Sequence, residues 1–203
     1  SGHGESGGRF EDGTISSWTR DAEAAIARFA PTGPLLLVGS SMGAWIALRL
    51  AESLKAQPER LAGLVLLAPA PDFTSRLLLP RLSDAQRSEL AANGFIAEPS
   101  PYDAGPTIYT KALIEDGEAA SVMKGPIKTG CSVHIIQGMN DPDVPHTHAL
   151  DLLALLPSDG VTMTLVKGGD HRLSRPDDLA LIERAVEVFL RPLSSQTETN
   201  ASV

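Results

Sequence analysis

A serine flanked by two glycines stands where an apolar run of this chain ends. Leu35–Val38 leads into the residues GSSMG, whose central residue is Ser41, and the apolar pattern of a helix follows. A serine hydroxyl held on a tight turn between a strand and a helix can act as a nucleophile when a base lies beside it. The pattern G-x-S-x-G in this context predicts that Ser41 is a nucleophile. Ser40 is interpreted as a small residue that packs in the turn.

The residues around the serine fit the same chemistry. A side chain at Gly39 or Gly43 is expected to collide with the neighbouring strand or helix. The backbone N–H of Met42, at the start of the predicted helix, is expected to stabilise a developing oxyanion. The alternative is a structural turn or a phosphate-binding loop, but this stretch fits neither G-x-x-x-x-G-K-[ST] nor G-x-G-x-x-G.

Two later loops offer the base and the acid that a serine nucleophile needs. The segment GMNDPDVP, residues 138–145, contains Asp141 and is called the acid loop. The segment GGDHR, residues 168–172, contains His171 and is called the histidine loop. Each segment follows a predicted strand, and loops at the carboxyl ends of parallel strands meet at one edge of the sheet. The chain order serine, acid, histidine is the one found with this kind of turn. The sequence therefore predicts a catalytic triad of Ser41, Asp141 and His171.

Two other carboxylates are alternative acids. Asp143 lies in the same loop, but we favour Asp141 because it comes first after the turn and Asp143 directly precedes Val144-Pro145. Asp72 follows the second strand and would serve only in a variant arrangement.

The remaining histidines have structural interpretations. His146 and His148 begin a helix and are expected at the surface, His134 lies within a strand pattern, and His3 lies in a glycine-rich loop without an obvious acid. No third ligand stands at helical spacing from His146 and His148, so no metal site is predicted. Arg172 is expected either to contact the substrate or to hold the histidine loop through an ion pair.

Buried strands and amphipathic helices must position these residues. Short apolar runs predict strands, and stripes at helical spacing predict helices between or after them. The predicted strands are Leu35–Val38, Leu61–Leu67, Val133–Gln137 and Val161–Val166. The predicted helices are 15–29, capped by Thr14, then 42–55, 147–156 and 179–189, the last entered through Pro176. This alternation predicts an α/β fold, with a parallel sheet covered by helices on both faces.

One segment breaks the alternation. Residues 1–70 and 127–193 are predicted to form the α/β core. Residues 71–126 carry two helical patterns, near 77–92 and 109–123, separated by a turn-rich stretch, and are predicted to form a helical lid. Residues 194–203 are polar and predicted to be disordered.

Composition narrows the function classes further. The chain has 203 residues, a net charge of −8 and 42% hydrophobic residues, which fits one globular domain and argues against nucleic acid as a partner. A lone cysteine, Cys131, excludes an internal disulfide and a multi-cysteine zinc site, and is predicted to be an inert thiol in a strand. No apolar run approaches the roughly 20 residues of a membrane span.

The motifs together resemble those of α/β-hydrolases. The similar pieces are SGHGES, GTISSW, VGSSMGAW, QGMNDPDVP and GGDHRLS. The last two pieces particularly resemble the branch of palmitoyl-protein thioesterases and acyl-glucuronide esterases and its bacterial relatives. The resemblance implies hydrolysis of esters or thioesters by Ser41, Asp141 and His171, with no metal or organic cofactor. It also implies a cytoplasmic location in a bacterium or a mitochondrial one in a eukaryote.

Two further expectations follow from the resemblance. Thirty-four residues precede Leu35, whereas family members carry several strands before the serine turn, so N-terminal strands are expected to be missing. The second oxyanion donor normally comes from a loop after one of those strands, and it is expected to lie outside this chain. The alternatives are a non-catalytic binding protein of the same fold, or another hydrolase chemistry such as lactone, amide or haloperoxidase-like reactions.

Overall fold

The computed structural model describes residues 1–100 and 105–200. Its strands are β1 (Leu35–Ser40), β2 (Leu61–Leu67), β3 (Phe95–Glu98), β4 (Thr107–Thr110), β5 (Ser132–Gly138) and β6 (Val161–Val166). Its α-helices are α1 (Ile15–Phe29), α2 (Met42–Leu54), α3 (Leu79–Arg81), α4 (Asp84–Asn93), α5 (Lys111–Ala119), α6 (His146–Leu155) and α7 (Pro176–Asn200). Short 3-10 turns occupy Phe10–Asp12 and Pro58–Arg60, and a π-helical turn occupies Thr74–Leu78.

The predicted strands form a single parallel sheet within the described residues. The strand order is β1-β2-β5-β6, and every neighbouring pair is parallel. Ser40 lies opposite Leu67, Leu67 lies opposite Ile136, and Gly138 lies opposite Val166. All four strands therefore end at one edge of the sheet, with β5 and β6 two residues longer there than β1 and β2. This register confirms the predicted α/β fold and brings the loops after β1, β5 and β6 to that edge.

Helices pack on both faces of the sheet. Buried residues of α2 at helical spacing, Ala44, Ala47, Leu48 and Ala51, join buried residues of β2, β5 and α6 in one core cluster. The opposite face is met by α7, because a Cβ on Gly63 of β2 would lie 2.3 Å from the Phe189 ring. Side chains alternate between the faces of a strand, so both faces of β2 are covered as predicted.

The chain divides into two compact units. The first unit comprises Ser1–Ala24 and Asp72–Ser121, and the second comprises Ala25–Pro71 and Val122–Val203. The second unit contains the parallel sheet. In the first unit, Thr14 Oγ1 accepts a hydrogen bond from the Ser17 N–H at 3.2 Å, which is the predicted capping of α1.

The segment predicted to be a lid contains helices and also a hairpin. Strand β3 lies in what the sequence indicates is a turn-rich stretch, and it pairs antiparallel with β4. The last two residues of β4 lie in the second predicted helical pattern, and residues 101–104 lie outside the described residues. In β3 a buried Ile96 lies between the exposed Phe95 and Ala97, which is the alternation of a half-buried strand. Ile96 packs with Leu78 and Leu82 in a small core of the first unit. The function of residues 71–126 as a lid stays a prediction.

The C-terminal segment differs from the sequence expectation. Helix α7 continues to Asn200, so it includes most of the polar segment predicted to be disordered, and residues 201–203 lie outside the described residues. An existing helix extends at lower free-energy cost than a new one forms, so polar residues can continue it. Among the helices described, none combines the length and the apolar character that crossing a membrane requires.

Candidate active site

Ser41 occupies a strained turn between β1 and α2. Its backbone angles, φ 52° and ψ −119°, lie in a region that residues with a side chain rarely adopt. Three backbone hydrogen bonds hold the turn. The Ser41 N–H donates to the Leu67 carbonyl at 2.8 Å, and the Ser41 carbonyl accepts from the N–H groups of Ala44 at 3.0 Å and Ala70 at 3.2 Å. This is the sharp strand-to-helix geometry that the sequence pattern predicts for a nucleophile.

Only one of the two flanking glycines is required for steric reasons. A Cβ on Gly39 would lie 2.4 Å from the Gly43 carbonyl oxygen and 2.8 Å from the Ala44 Cα. Apart from its chain neighbours and the backbone of its own helix, a Cβ on Gly43 would meet no described atom within 4 Å, so the expected collision with a neighbouring strand or helix is wrong. The crowding is one-sided because the start of α2, at Gly43 and Ala44, passes close to Gly39.

His171 lies in the loop after β6 and contacts both predicted partners. Its Nε2 is 3.1 Å from Ser41 Oγ, and its Nδ1 is 2.8 Å from Asp141 Oδ2. Because an ionised carboxylate can only accept, Nδ1 carries the proton that is donated to Asp141. Nε2 is then the acceptor of the neutral imidazole, and the Ser41 hydroxyl donates to it. All three residues belong to the second unit.

Asp141 is the carboxylate that contacts the histidine. Its side chain has 0% exposure, and its Oδ1 accepts from the backbone N–H groups of Asp143 at 2.9 Å and Val144 at 2.8 Å. The alternative acid, Asp143, is exposed, and its backbone supports Asp141. Backbone donors on one oxygen and the imidazole on the other fix the plane of the carboxylate.

Gln137 is a site residue that the sequence analysis missed. It lies at the end of β5 with 0% exposure, and its Nε2 donates to Asp141 Oδ2 at 3.1 Å. The same amide nitrogen lies 3.0 Å from the Gly138 carbonyl and 3.1 Å from the Val144 carbonyl. The signal in the sequence is a glutamine that closes the predicted strand Val133–Gln137, directly before the acid loop.

Direct contacts lock the acid loop and the histidine loop together. The Asn140 N–H donates to the Gly169 carbonyl at 2.9 Å, and a Cβ on Gly138 would lie 2.4 Å from that same oxygen. Within the histidine loop, Asp170 Oδ1 accepts from the backbone N–H groups of Arg172 at 3.1 Å and Leu173 at 3.0 Å. Asp170 was another residue missed in the sequence, although an aspartate that bonds backbone N–H groups two and three residues on is typical of such turns.

Burial and hydrogen bonding act in opposite directions on the acid and the base. Burial alone would raise the pKa of Asp141, but the hydrogen bonds from His171, Val144 and Asp143 hold it below its ordinary value. Burial alone would lower the pKa of His171, but the Asp141 hydrogen bond and the charges of Asp141, Asp143 and Asp170 raise it above its ordinary value. The arrangement thus favours an ionised acid beside a histidine of increased basicity.

Solved structures share this fold. The crystal structure of a protein from Agrobacterium vitis that is assigned as a hydrolase is 55% identical in sequence, with a TM-score of 0.89, over 93% of this chain and 73% of that one. A mouse α/β hydrolase domain-containing protein 10 is 28% identical, with a TM-score of 0.80, over 95% of this chain and 76% of that one. The chain belongs to the α/β-hydrolase superfamily.

Sequence relatives place this α/β-hydrolase near one branch. Residues 1–97 match the family described as Serine aminopeptidase, S33. Human mitochondrial palmitoyl-protein thioesterase ABHD10 is 30% identical over 196 residues, which is 96% of this chain and 62% of the relative. The hydrolase chain thus spans a little under two thirds of the length of that curated relative. The resemblance to the palmitoyl-protein thioesterase branch is confirmed.

Three histidines of the hydrolase have contacts other than Ser41. His134 fits the structural interpretation, because its Nδ1 lies 2.6 Å from Thr162 Oγ1 and burial lowers the pKa of its ring. His148 is buried, with Nε2 2.9 Å from the Pro71 carbonyl oxygen, so the expected surface position is wrong. The ring of His3 packs edge-on against Trp18 in the first unit.

The remaining candidates differ in their surroundings. Asp72 is buried in the first unit, and its carboxylate accepts a hydrogen bond from the Ser121 hydroxyl. Cys131 lies just before β5 instead of within it, and burial raises the pKa of its thiol to about 11. A thiol that stays protonated at neutral pH is a poor nucleophile. The two roles considered for Arg172 stay predictions.

One group of metal-ligand side chains occurs in the part of the chain that the structure describes. Ligand atoms of Asp141, Asp143 and His171 lie within 4.8 Å of one another, and the group does not include His146 or His148. His171 Nδ1 has no lone pair to offer while it donates to Asp141. The hydrogen-bonded chain from the serine to the acid accounts for the proximity of these groups.

Proposed function

We propose that this chain is a serine hydrolase that cleaves carboxylic esters or thioesters through an acyl-enzyme. The observation that carries the proposal is the hydrogen-bonded series from Ser41 Oγ to His171 Nε2, at 3.1 Å, and from His171 Nδ1 to Asp141 Oδ2, at 2.8 Å. Nucleophile, base and orienting acid in this order are the groups that acyl transfer to serine requires.

In the acylation step, His171 Nε2 removes the hydroxyl proton as Ser41 Oγ attacks the acyl carbon. The new bond to Oγ places a negative charge on the carbonyl oxygen, and Asp141 stabilises the imidazolium that forms. The carbon–oxygen or carbon–sulfur bond to the leaving group then breaks, and the imidazolium proton goes to the departing alcohol or thiol. In the second half, His171 removes a proton from water as the water oxygen attacks the acyl carbon. The bond between the acyl carbon and Oγ then breaks, His171 returns the proton to Ser41 Oγ, and the carboxylic acid leaves.

The start of α2 supports the charge that develops on the oxygen. Met42 is the first residue of α2, and the first N–H groups of a helix have no acceptor inside it. We assign the Met42 N–H as an oxyanion donor, and the helix dipole favours the same charge. Met42 would contribute its backbone, so its side chain can be replaced without removing the donor.

The substrate class follows from the chemistry and from the relatives. Attack by serine suits esters and thioesters alike, since the leaving group needs only a proton from His171. The curated relatives are named palmitoyl-protein thioesterases. We therefore propose acyl thioesters as the first substrates to test, with oxygen esters of the same acyl chains beside them.

Acyl-chain and leaving-group profiling tests this proposal. The protein is assayed on p-nitrophenyl esters and acyl thioesters of increasing chain length, with anilides of the same acids as amide analogues. We expect hydrolysis of esters or thioesters that is lost in Ser41→Ala and retained in the adjacent control Ser40→Ala. Full activity in Ser41→Ala would overturn the assignment of the nucleophile. Turnover of anilides alone would favour another hydrolase chemistry, and no turnover would favour a binding protein.

A further inference from the structure

Gln137 is fully buried at the point where β5 enters the acid loop. Its amide nitrogen faces three oxygens, those of the Gly138 carbonyl, the Asp141 carboxylate and the Val144 carbonyl, at 3.0–3.1 Å. If the amide group were flipped, Oε1 would face these three oxygens, one of which is anionic, and no hydrogen bond could form between them. The surroundings therefore fix the NH₂ group on the side of Asp141.

The other end of the amide is not satisfied. Gln137 Oε1 is buried and has no hydrogen-bond partner among the described residues. A buried acceptor without a partner opposes folding, and an apolar side chain of similar length would fill the same volume without that cost. Packing alone therefore does not explain an amide at this position, and the explanation lies in what its N–H groups do.

The N–H groups of Gln137 connect the two ends of the acid loop through Asp141. Gly138 and Val144 bracket the loop, and Asp141 Oδ2 is the oxygen that also accepts from His171 Nδ1. The carboxylate is thus held from two sides, by backbone N–H groups on Oδ1 and by Gln137 on Oδ2. Without the Gln137 amide, Asp141 Oδ2 would keep the hydrogen bond from His171 and have no second donor among the described residues.

We propose that Gln137 is a positioning residue for the reaction, which acts through Asp141 by holding Oδ2 in the plane that receives the His171 proton. The proposal rests on the proposed function, because it assigns Gln137 a role in the acyl transfer by Ser41. Gln137 touches neither the nucleophile nor the base directly. Its contribution is expected in kcat, with KM unchanged, since it does not contact substrate.

Two variants separate the donor from the volume. Gln137→Met keeps the approximate size and removes the N–H groups. Gln137→Glu keeps the shape and, when protonated, offers one O–H donor to Asp141; when ionised, it places a second carboxylate against the first. Two carboxylates sharing one site retain a proton to higher pH than either would alone. The other titratable groups at this site are His171, which bonds Asp141, and Asp143 and Asp170, whose charges act on His171.

The experiment measures kcat and KM across pH for wild type and both variants, below each unfolding temperature. We expect Gln137→Met to lower kcat on the order of 10- to 100-fold, the effect of losing a hydrogen bond to a charged group. We expect Gln137→Glu to retain more kcat than Gln137→Met at the acidic end of the profile and to lose that advantage as pH rises. Gln86→Met makes the same change at a capping residue of α4 and should leave the pH profile unchanged.

The results that overturn the inference are distinct from those that overturn the function. Either of two results would show that Gln137 only fills volume. One is a Gln137→Met protein with wild-type kcat, and the other is a kcat ratio between the two variants that stays constant across pH. If Gln137→Met does not fold, the test rests on Gln137→Glu, whose kcat relative to wild type must fall as the pH rises. A wild-type protein that hydrolyses no ester or thioester would instead defeat the proposed function.

Discussion

His171 Nε2 lies 3.1 Å from Ser41 Oγ, although 130 residues separate the two along the chain. The parallel sheet explains how they meet, because β1 and β6 both end at the edge where their loops begin. Between them, the loop after β5 supplies Asp141, and its backbone is bonded to the histidine loop. The separation in sequence therefore follows from the order of strands, and the short distance follows from their register.

The two carboxylates of the acid loop should differ strongly in their effect on rate. In Asp141→Asn the amide N–H₂ faces Nδ1 or the imidazole adopts the wrong tautomer, so we expect kcat to fall roughly 10³- to 10⁴-fold. Asp143→Asn keeps the backbone N–H that bonds Asp141 and should change kcat by a few-fold at most. Steady-state kinetics on a fluorogenic ester checks both variants. Equal losses in the two would contradict the assignment of Asp141 as the acid.

The charge of Asp143 should appear in the pH profile. Burial lowers the pKa of His171, but the hydrogen bond to Asp141 and the charges of Asp141, Asp143 and Asp170 raise it overall. Since only neutral His171 can accept the Ser41 proton, a raised pKa places the acidic limb of kcat/KM above the pH expected for an unperturbed histidine. Asp143→Asn removes one of these charges, so the limb should move to lower pH.

Salt and a matched control test that pH prediction. Asp159→Asn removes the same charge from an exposed loop and should leave the limb in place. High salt should reduce the effect of Asp143→Asn, because Asp143 is exposed and exposed charges are screened. A limb that moves equally in both variants would indicate a response to net charge instead of a local interaction with His171.

The strained backbone of Ser41 should be measurable as lost stability. Glycine adopts φ 52° and ψ −119° without steric penalty, so Ser41→Gly should be more stable than Ser41→Ala by about 1 kcal/mol. Both variants lack the hydroxyl, so the comparison isolates the backbone. Urea unfolding gives the two free energies. A less stable Ser41→Gly would show that the turn is relaxed in solution.

The two glycines beside Ser41 should respond in opposite ways to alanine. The methyl group of Gly39→Ala would lie 2.4 Å from a backbone oxygen, and we expect it to destabilise the protein by about 1–3 kcal/mol or more and to reduce activity. Gly43→Ala meets open space in the first turn of α2 and should be neutral or slightly stabilising. Thermal unfolding of the pair provides the test, and a neutral Gly39→Ala would contradict the close approach.

Much of the parallel sheet and the predicted triad could be anticipated from local sequence. A near-continuous apolar run gave the bounds of β2 to the residue, because a strand buried on both faces needs such a run. The bounds of β6 also agree to the residue, although its side chains are half-buried or exposed. The β3–β4 hairpin was missed because Phe95–Glu98 is short and half-exposed, and no long apolar run reveals it. A strand that buries a single side chain, as β3 buries Ile96, does not show this signal.

The errors near the site have a different physical cause. Gln137 and the buried His148 gain their partners from residues that are adjacent in space, such as Asp141 and the Pro71 carbonyl. Gly43 follows a pattern that suggests crowding, yet the crowding depends on the direction of a single Cα–Cβ vector. Sequence spacing identifies groups that can react, whereas their supporting hydrogen bonds depend on the packing of loops.

Mapping the residue that a fluorophosphonate modifies tests the central claim most directly. The reagent forms a phosphonyl ester with an activated serine, and peptide mass spectrometry locates the adduct. We predict one adduct at Ser41 in the wild-type protein and in Ser40→Ala, and strongly slowed labelling in His171→Ala, whose serine lacks the base at 3.1 Å. An adduct at another serine, or Ser41 labelling that is as fast without His171, would contradict the account.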